Sequence, residues 1–172
     1  MKDADLAHIV EQLSTEPDES YTLQQVVDQA VDNVPGCHMC SVFVRDRKTV
    51  QVAATTDPRA RAVDDLQFDL DEGPCLSVLR EHEIASVPDT EADQRWPRWS
   101  SGAAEQGVRS SLSVRLAIED PYLACLNMYS SRVDGFDDDA LEESVVYARL
   151  ASVALLQARE ISGLRSALGN RL

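Results

Sequence analysis

Cys75 is the residue of this sequence whose surroundings are best suited to chemistry. It follows Gly73-Pro74 and begins a predicted helix over residues 74–82. The amide groups of a helix N-terminus favour a thiolate, which lowers the pKa of a thiol below its usual value of about 8.5. The acidic residues just before it act in the opposite direction, and His82 lies about two helical turns away, too far to be its base. We therefore interpret Cys75 as a buried residue in a pocket wall, with ligand contact or redox sensing as the alternative.

Cys37 and Cys40 have the C-x-x-C spacing that is used in metal and redox sites. Zinc normally needs four ligands, and the remaining cysteines and histidines are scattered singly. Positions three apart on a strand face opposite sides, with Cα atoms roughly 10 Å apart, whereas a disulfide requires about 7 Å or less. The pair could close only if Cys37 belongs to the turn at Pro35-Gly36. Structural packing is the favoured interpretation, and a redox pair or a metal site are the alternatives.

The strand predicted over residues 122–130 carries three further candidates for a binding site. Alternation places Cys125, Asn127 and Tyr129 on one face, opposite the apolar side chains. Asparagine is disfavoured in the middle of a strand. We therefore expect Asn127 to be compensated by a ligand, by water or by loop backbone.

Trp96 and Arg109 are candidates for the same pocket. An indole can stack on a planar ligand, although Trp96 equally suits an anchor at the start of the helix predicted over residues 96–107. A guanidinium can bind an anion. The arginines between residues 84 and 115 nevertheless lack a glycine-rich phosphate-binding turn, so they are a weak indication of phosphate binding. The residues indicate no metal site and no particular cofactor.

The composition restricts the classes of function. The chain has 172 residues, enough for one domain with a substantial core, and its 16 basic and 30 acidic side chains give a net charge of −14. Nucleic-acid binding by this chain is disfavoured because it needs clustered Lys and Arg. The polar N-terminus does not resemble a signal peptide, and no stretch approaches the roughly 20 apolar residues of a membrane span. Four cysteines without a framework spacing favour the reducing cytoplasm.

Two hydrophobic periods divide the chain into helices and strands. The predicted helices are residues 4–14, a segment capped at Ser20 or Thr22 and running to Val34, a short helix after Asp57-Pro58, and residues 74–82, 96–107 and about 137 onward. The predicted strands are residues 40–45, 49–55, 67–70, 84–87, 108–118 and 122–130, with a turn at Asp120-Pro121. We expect an α+β fold with an antiparallel sheet. Terminal helices cover one face of it, and short helices and loops lie over a pocket on the other.

Several ordered motifs resemble a known family. VPGCHMCSVFV, FDLDEGPCLSVLREHEIASVPD, RWPRW…GVRSSLSVRL and LNMYSSRVDGFDDD together resemble the GAF domains of actinobacterial GAF–ANTAR regulators. The resemblance implies a sheet of about six strands and a non-enzymatic module that senses a small molecule or another signal. In that family an RNA-binding ANTAR domain, acting in transcription antitermination, usually follows.

The resemblance also implies a division of the chain. Residues 1–19 are expected to form an N-terminal helix, residues 20–160 the GAF domain, and residues 161–172 the start of a linker or signalling helix. The sequence stops at GLRSALGNRL, where an ANTAR domain is expected to begin. We therefore expect this segment not to bind nucleic acid directly.

The terminal helices are predicted to form an interface. The last helix is apolar almost all round, so one of its sides needs a partner besides the sheet. Apolar residues then continue in the alternating spacing of a heptad seam. We expect a homodimer in which this seam carries pocket occupancy to an output domain. The candidate interface residues are Leu6, Ile9, Leu13, Leu150, Ile161, Leu164 and Leu168.

Two rival functions remain open. A thiol-based redox sensor, or an enzyme resembling free methionine-(R)-sulfoxide reductase, would use Cys75. The pocket loop over residues 89–111, however, holds no second cysteine to resolve an oxidised thiol. A ligand-free dimerisation scaffold would instead have a filled core beneath residues 71–107. A sensor of an unidentified small molecule is the favoured function.

Overall fold

The structure, a computed structural model, describes residues 3–14, 19–116 and 122–169. Its helices are α1 (Asp3–Ser14), α2 (Glu19–Asn33), α3 (Pro58–Leu70), α4 (Pro74–Arg80), α5 (Pro97–Glu105) and α6 (Asp138–Gly169). Its strands are β1 (Met39–Asp46), β2 (Thr49–Thr55), β3 (Ile84–Val87), β4 (Ser110–Leu116) and β5 (Tyr122–Ser130). The predicted α+β class is confirmed.

The strands form one antiparallel sheet in the order β2-β1-β5-β4-β3. Five strands are thus described where about six were expected. In the central three strands Ser41 lies opposite Asn127, and Asn127 lies opposite Ser113. Cross-strand partners point to the same face of a sheet. These three side chains therefore form a polar row across the middle of the sheet.

Helices cover both faces of the sheet. On one face α1, α2 and α6 join the apolar side chains of the central strands in a continuous core. The Tyr147 hydroxyl of α6 donates a hydrogen bond there to the Val26 carbonyl of α2. On the other face α3, α4 and α5 cover a core that is divided into two separate apolar clusters. The second face therefore holds two smaller apolar cores instead of one continuous core.

The predicted strand over residues 67–70 is wrong, because these residues end α3. The short helix predicted after Asp57-Pro58 is thus α3, and Asp57 caps it, since its side chain accepts a hydrogen bond from the Arg59 amide at 2.8 Å. The buried face of α3 has helical spacing but is half polar, so it lacks the apolar period that identifies a helix. Its members are Ala60, Val63, Asp64 and Gln67.

The other boundaries differ by a few residues from the prediction. The helix predicted over residues 96–107 ends at Glu105, and β4 ends at Leu116. The predicted positions of Ile118 and of the Asp120-Pro121 turn lie outside the described residues. Among the helices that are described, none is both long and apolar enough to cross a membrane.

Candidate functional site

A group of buried polar side chains separates the two apolar clusters beneath α3, α4 and α5. The sheet supplies its serines, its asparagine and its tyrosine, and α3 supplies an aspartate and a glutamine one turn apart. We call this group the polar belt, and each member is at most 1% exposed: Ser41, Asp64, Gln67, Ser111, Ser113, Asn127 and Tyr129. Burying a polar group without a hydrogen bond costs about 1–3 kcal/mol. Such a group of polar residues in a core therefore requires a physical explanation.

Asp64 is the carboxyl of the polar belt. Its Oδ1 accepts a hydrogen bond of 2.5 Å from the Tyr129 hydroxyl. Burial raises the pKa of Asp64 to about 7, and Ser41, Tyr129 and Asn127 oppose this rise. Ser41 and Asn127 therefore lie within hydrogen-bonding range of the carboxyl, although the distances or angles fall short of a regular hydrogen bond. Burial, and then the charge of Asp64, raise the pKa of Tyr129 well above its usual value.

Several polar atoms of the belt have no hydrogen-bond partner among the described residues. They are Ser41 Oγ, Asp64 Oδ2, Gln67 Nε2, Ser111 Oγ and Asn127 Nδ2. The carbonyl oxygen of Asn127, in contrast, accepts hydrogen bonds from the Ser113 hydroxyl at 2.9 Å and from the Cys125 thiol at 3.4 Å. Buried polar groups in proteins are nearly always paired. Their concentration at one place makes the polar belt the candidate functional site of the described residues.

Gly73 makes room for the glutamine of the polar belt. Its φ is 145°, and a Cβ at this position would lie 2.3 Å from Gln67 Oε1. Because glycine has no Cβ, Gln67 Oε1 can accept hydrogen bonds from the amides of Cys75 at 3.0 Å and Leu76 at 3.4 Å. The Gly-Pro-Cys motif thereby allows the first amides of α4 to bind the Gln67 side chain of α3.

Glu72, next to this glycine, caps α5, the third of the helices that cover the polar belt. Its Oε1 accepts hydrogen bonds from the amides of Arg98 at 2.8 Å and Trp99 at 2.9 Å, and so caps α5. The Trp99 indole N–H in turn donates to the Val63 carbonyl of α3 at 3.1 Å. The loop between α3 and α4 therefore positions three helices over the polar belt.

Cys75 of α4 and Cys125 of β5 are buried neighbours in one apolar cluster. Both are free thiols. Burial raises the pKa of Cys75 well above its usual value, and the adjacent Cys125 adds to the rise. Desolvation therefore outweighs the effect that the sequence suggested for a helix N-terminus. The sequence has no second cysteine close to Cys75, but the fold brings Cys125 next to it.

Cys37 and Cys40 are buried free thiols on the opposite face of the sheet. Cys37 precedes β1, and its thiol donates to the Met39 carbonyl at 3.4 Å. Burial raises the pKa of Cys40 well above its usual value, and the neighbouring Cys37 contributes. Within residues 3–14, 19–116 and 122–169, no three or more His, Cys, Asp or Glu side chains form a group that could hold a metal ion.

Trp96 and Arg109 make their polar contacts outside the belt. Trp96 is half-buried against both apolar clusters, with the Arg95 guanidinium 4.6 Å from its ring centroid. The Arg109 guanidinium lies 3.4 Å from Asp89 and 3.3 Å from Glu91.

The other predicted pocket residues, Cys75, Cys125, Asn127 and Tyr129, lie at or beside the polar belt. Sequence reasoning missed Asp64 and Gln67, although their spacing after the Asp57 cap is helical.

A sequence model of the GAF domain matches residues 16–156 of this chain. The chain belongs to the GAF domain family. A search of the curated proteins found no significant match. The family implied by the motifs is thus confirmed at the level of the GAF domain, and the GAF–ANTAR assignment stays a prediction.

Solved structures share the fold of this GAF domain. One is the GAF domain of a phosphoenolpyruvate-protein phosphotransferase from Acinetobacter, with 16% identity, 95% of this chain and 99% of that chain covered, and a TM-score of 0.68. A second is free methionine-R-sulfoxide reductase from Neisseria meningitidis in complex with its substrate, with 16% identity, coverage of 94% and 95%, and a TM-score of 0.67. A bacteriophytochrome from R. palustris has 9% identity, coverage of 98% and 40%, and a TM-score of 0.68. The GAF fold is generally a sensory one, but these structures include an enzyme.

The predicted interface residues on the terminal helices of the GAF domain fall into two groups that differ in burial. Ile9 and Leu13 are buried in the domain's own core, and Leu6 and Leu150 are half-buried. Leu164 and Leu168, in contrast, are 64% and 62% exposed. The exposed large apolar side chains of α1 and α6 are Val10, Val146, Val153, Leu156, Ile161, Leu164 and Leu168.

A polar contact joins α2, β5 and α6 of the GAF domain at one point. Glu19 Oε1 accepts hydrogen bonds from the Tyr122 hydroxyl at 3.1 Å and from Arg159 Nη1 at 3.0 Å. The Arg159 guanidinium lies 3.5 Å from the Tyr122 ring centroid. Burial raises the pKa of Tyr122 to about 12, and the charge of Glu19 adds to the rise. We call these three residues the helix–strand joint.

Proposed function

We propose that this GAF domain is a non-enzymatic sensor that binds a small molecule in the polar belt. The observation that carries the proposal is the group of unpaired polar atoms buried at one place. Burying each such atom without a partner costs free energy, and a bound molecule that pairs with the atom removes this cost. A ligand-free scaffold would be better served by a continuous apolar core, such as the one on the opposite face. Because each belt residue is at most 1% exposed, a ligand can reach the belt only when the helices above it move, and the unpaired polar atoms then favour its binding over a purely structural role.

The signal leaves the domain through β5 and α6. Strand β5 carries Asn127 and Tyr129 in the belt and Tyr122 at its start. Tyr122 meets Arg159 of α6 in the helix–strand joint. A shift of β5 on ligand binding is thereby passed to the last turns of α6. In the regulator family that the motifs resemble, the output is an RNA-binding ANTAR domain in transcription antitermination, acting in the cytoplasm.

The exposed apolar side chains of α1 and α6 support a homodimer. Val10 and Val153 border a groove of about 100 Å³ between the two helices, and Leu164 and Leu168 continue the exposed apolar surface toward the end of α6. Contiguous exposed apolar surface is a common sign of a protein interface. A second copy of this chain would cover the same helices symmetrically.

The sensor function is tested by native mass spectrometry of the protein purified from its host. We expect a bound small molecule in the wild-type protein and its loss in Asn127→Ala. The exposed Asp65→Asn variant is the matched control and should keep the molecule. A wild-type protein without any bound molecule, from cells in which the regulator is active, contradicts the proposal.

A redox sensor or reductase is the second candidate function, because Cys75 and Cys125 are neighbours. A peroxide could oxidise the two thiols to a disulfide, taking two electrons and two protons and being reduced to water or to an alcohol and water. The raised pKa and full burial of Cys75 oppose this reaction.

Thiol counting after peroxide treatment distinguishes the two candidates. The sensor function predicts that peroxide leaves all four thiols of the folded wild-type protein free. It likewise predicts that the three remaining thiols of Cys75→Ser stay free. Loss of two thiols in the wild-type protein, prevented by Cys75→Ser and by Cys125→Ser, would support the redox function instead.

A further inference from the structure

Helix α6 carries one stripe of side chains that the rest of the domain leaves largely uncovered. At 3.6 residues per turn, the members of this stripe lie within about 80° of one another around the helix axis. Val153, Leu164 and Leu168 in it are 55%, 64% and 62% exposed. We call the stripe the outer stripe, and it consists of Gln157 and six apolar residues: Val146, Leu150, Val153, Ile161, Leu164 and Leu168.

The outer stripe has the same pattern in both directions along the helix from Gln157. Its apolar members lie four, seven and eleven residues away on either side and form three pairs: Val153 with Ile161, Leu150 with Leu164, and Val146 with Leu168. In two antiparallel helices related by a two-fold axis, a residue before the axis meets the residue at the same distance after it. With Gln157 at the axis, every apolar member therefore meets an apolar member of the other copy. A parallel pair matches each residue with its own copy, so shape and charge distinguish the two orientations.

Helix α1 lies beside the first half of α6. Val10 and Leu13 of α1 form a groove of about 100 Å³ with Leu150 and Gln157 of α6. Helix α1 ends one residue after Leu13, so residues 160–169 of α6 extend beyond it. The surface therefore changes along α6 from a groove between two helices to the ridge of a single helix.

The shape of this surface favours the antiparallel orientation, because helices pack with the ridges of one in the grooves of the other. In an antiparallel pair, the ridge at Leu164 of each copy enters the groove at Val10 and Leu150 of the other. In a parallel pair the two grooves face each other, and the side chains that line them lose packing contacts.

The charges along α6 favour the same orientation. Asp139, Glu142 and Glu143 line a cavity between the start of α6 and α1. Residues 161–172, in contrast, contain two arginines and no acidic residue. A parallel pair brings the acidic starts of the two helices together, and like charges across an interface repel each other. An antiparallel pair brings each acidic start to the other end of the partner helix.

We propose that two copies of this chain pair through α6 in antiparallel orientation, with the two-fold axis at Gln157. The arrangement rests on the homodimer proposed above, and it specifies the surface and the register of that homodimer. Residues 160–169 of each copy lie in the groove between α1 and α6 of the other copy. The ends of the two helices at Gly169 point away from each other and lie about 36 Å apart along the helix axis.

Spin labels at two exposed positions of the intact chain measure the orientation. Glu160→Cys and Ala167→Cys lie outside the outer stripe, and the native cysteines are at most 3% exposed, so only the new thiol is labelled. Antiparallel pairing separates the two labels along the helix axis by about 9 Å in Glu160→Cys and about 30 Å in Ala167→Cys. Pulsed EPR should therefore give a label-to-label distance about 15 Å longer in Ala167→Cys. A parallel pair gives similar distances at both positions.

Engineered disulfides test the register. Val153→Cys and an affinity-tagged Ile161→Cys, both changed at exposed positions, are co-expressed and mildly oxidised. The proposed pairing brings these two cysteines of different copies within the Cα distance of about 7 Å that a disulfide needs. In either variant alone, the equivalent cysteines lie about 12 Å apart along the helix axis. We expect covalent dimers that contain one tagged and one untagged chain, and none when either variant is expressed alone.

The outcomes separate the orientation from the homodimer and from the sensor function. Similar label distances at both positions, or covalent dimers of each variant alone, overturn the antiparallel orientation and leave a parallel homodimer. A wild-type protein that is monomeric in sedimentation velocity overturns the homodimer and the orientation with it. The molecule that co-purifies with the protein decides the sensor function independently of these results.

Discussion

Asp64 links the chemistry of the polar belt to the stability of the whole domain. Burial raises its pKa to about 7 in the folded protein, whereas an aspartate in an unfolded chain has a pKa of about 3.9. Because the folded state binds the proton more tightly, protonation stabilises it. This contribution is fully present below about pH 4 and is lost as the pH rises to about 7.

We expect Asp64→Asn to remove this pH dependence. From about pH 5 to about pH 8, the free energy of unfolding should fall by about 2 kcal/mol more in the wild-type protein than in the variant. Denaturant titrations at several pH values measure the difference, and Asp69→Asn, an exposed position on the same helix, should follow the wild-type protein. Parallel curves for wild type and Asp64→Asn would show that the carboxyl does not titrate in this range.

Gly73 gives a second prediction at the scale of a residue. Gly73→Ala combines a backbone φ of 145° with a clash against the Gln67 side chain, and should destabilise the protein by about 3 kcal/mol. Gly107→Ala is the matched control because its φ is 85° and no atom lies within 4 Å of the added Cβ. It should cost about 1 kcal/mol. Equal effects in thermal unfolding would mean that the contact with Gln67 is not the reason for the glycine.

At the scale of the elements, the positions of the helices α3, α4 and α5 over the polar belt depend on the loop between α3 and α4. Glu72→Ala leaves the amides of Arg98 and Trp99 without their acceptor, and should destabilise the protein by about 1 kcal/mol. Glu72→Gln keeps an acceptor oxygen and should recover most of this loss. Chemical denaturation measures both variants. A Gln variant as unstable as the Ala variant would indicate that charge, rather than the cap, is what matters.

The sequence predicts the elements whose buried face is apolar and fails where that face is polar. The strand alternation of β5 assigned Asn127 and Tyr129 to one face, because Leu126 and Met128 on the opposite face are apolar. In α3 the buried Asp64 and Gln67 interrupt the apolar helical pattern, so these two members of the polar belt could not be derived. The proximity of Cys75 to Cys125 depends on how α4 packs on the sheet, and local spacing does not determine that.

At the scale of the whole molecule, the exposed end of α6 is where a second copy is expected to bind. Leu164→Asp would bury a charge in the proposed dimer interface and should shift the protein toward the monomer. Sedimentation velocity measures the change, and the exposed Ser166→Asp adds the same charge nearby as a control. A wild-type protein that is monomeric at high concentration contradicts the dimer.

The helix–strand joint is a point about which the end of α6 can tilt. Arg159 is fixed to Glu19 and Tyr122, and Gly169 lies ten residues further along the same helix. At about 1.5 Å per residue, this arm is about 15 Å long. A tilt of about 10° at the joint moves its tip by about 3 Å. If the joint acts as this pivot, we expect small rearrangements of the sheet to displace the end of α6 by about the size of a side chain.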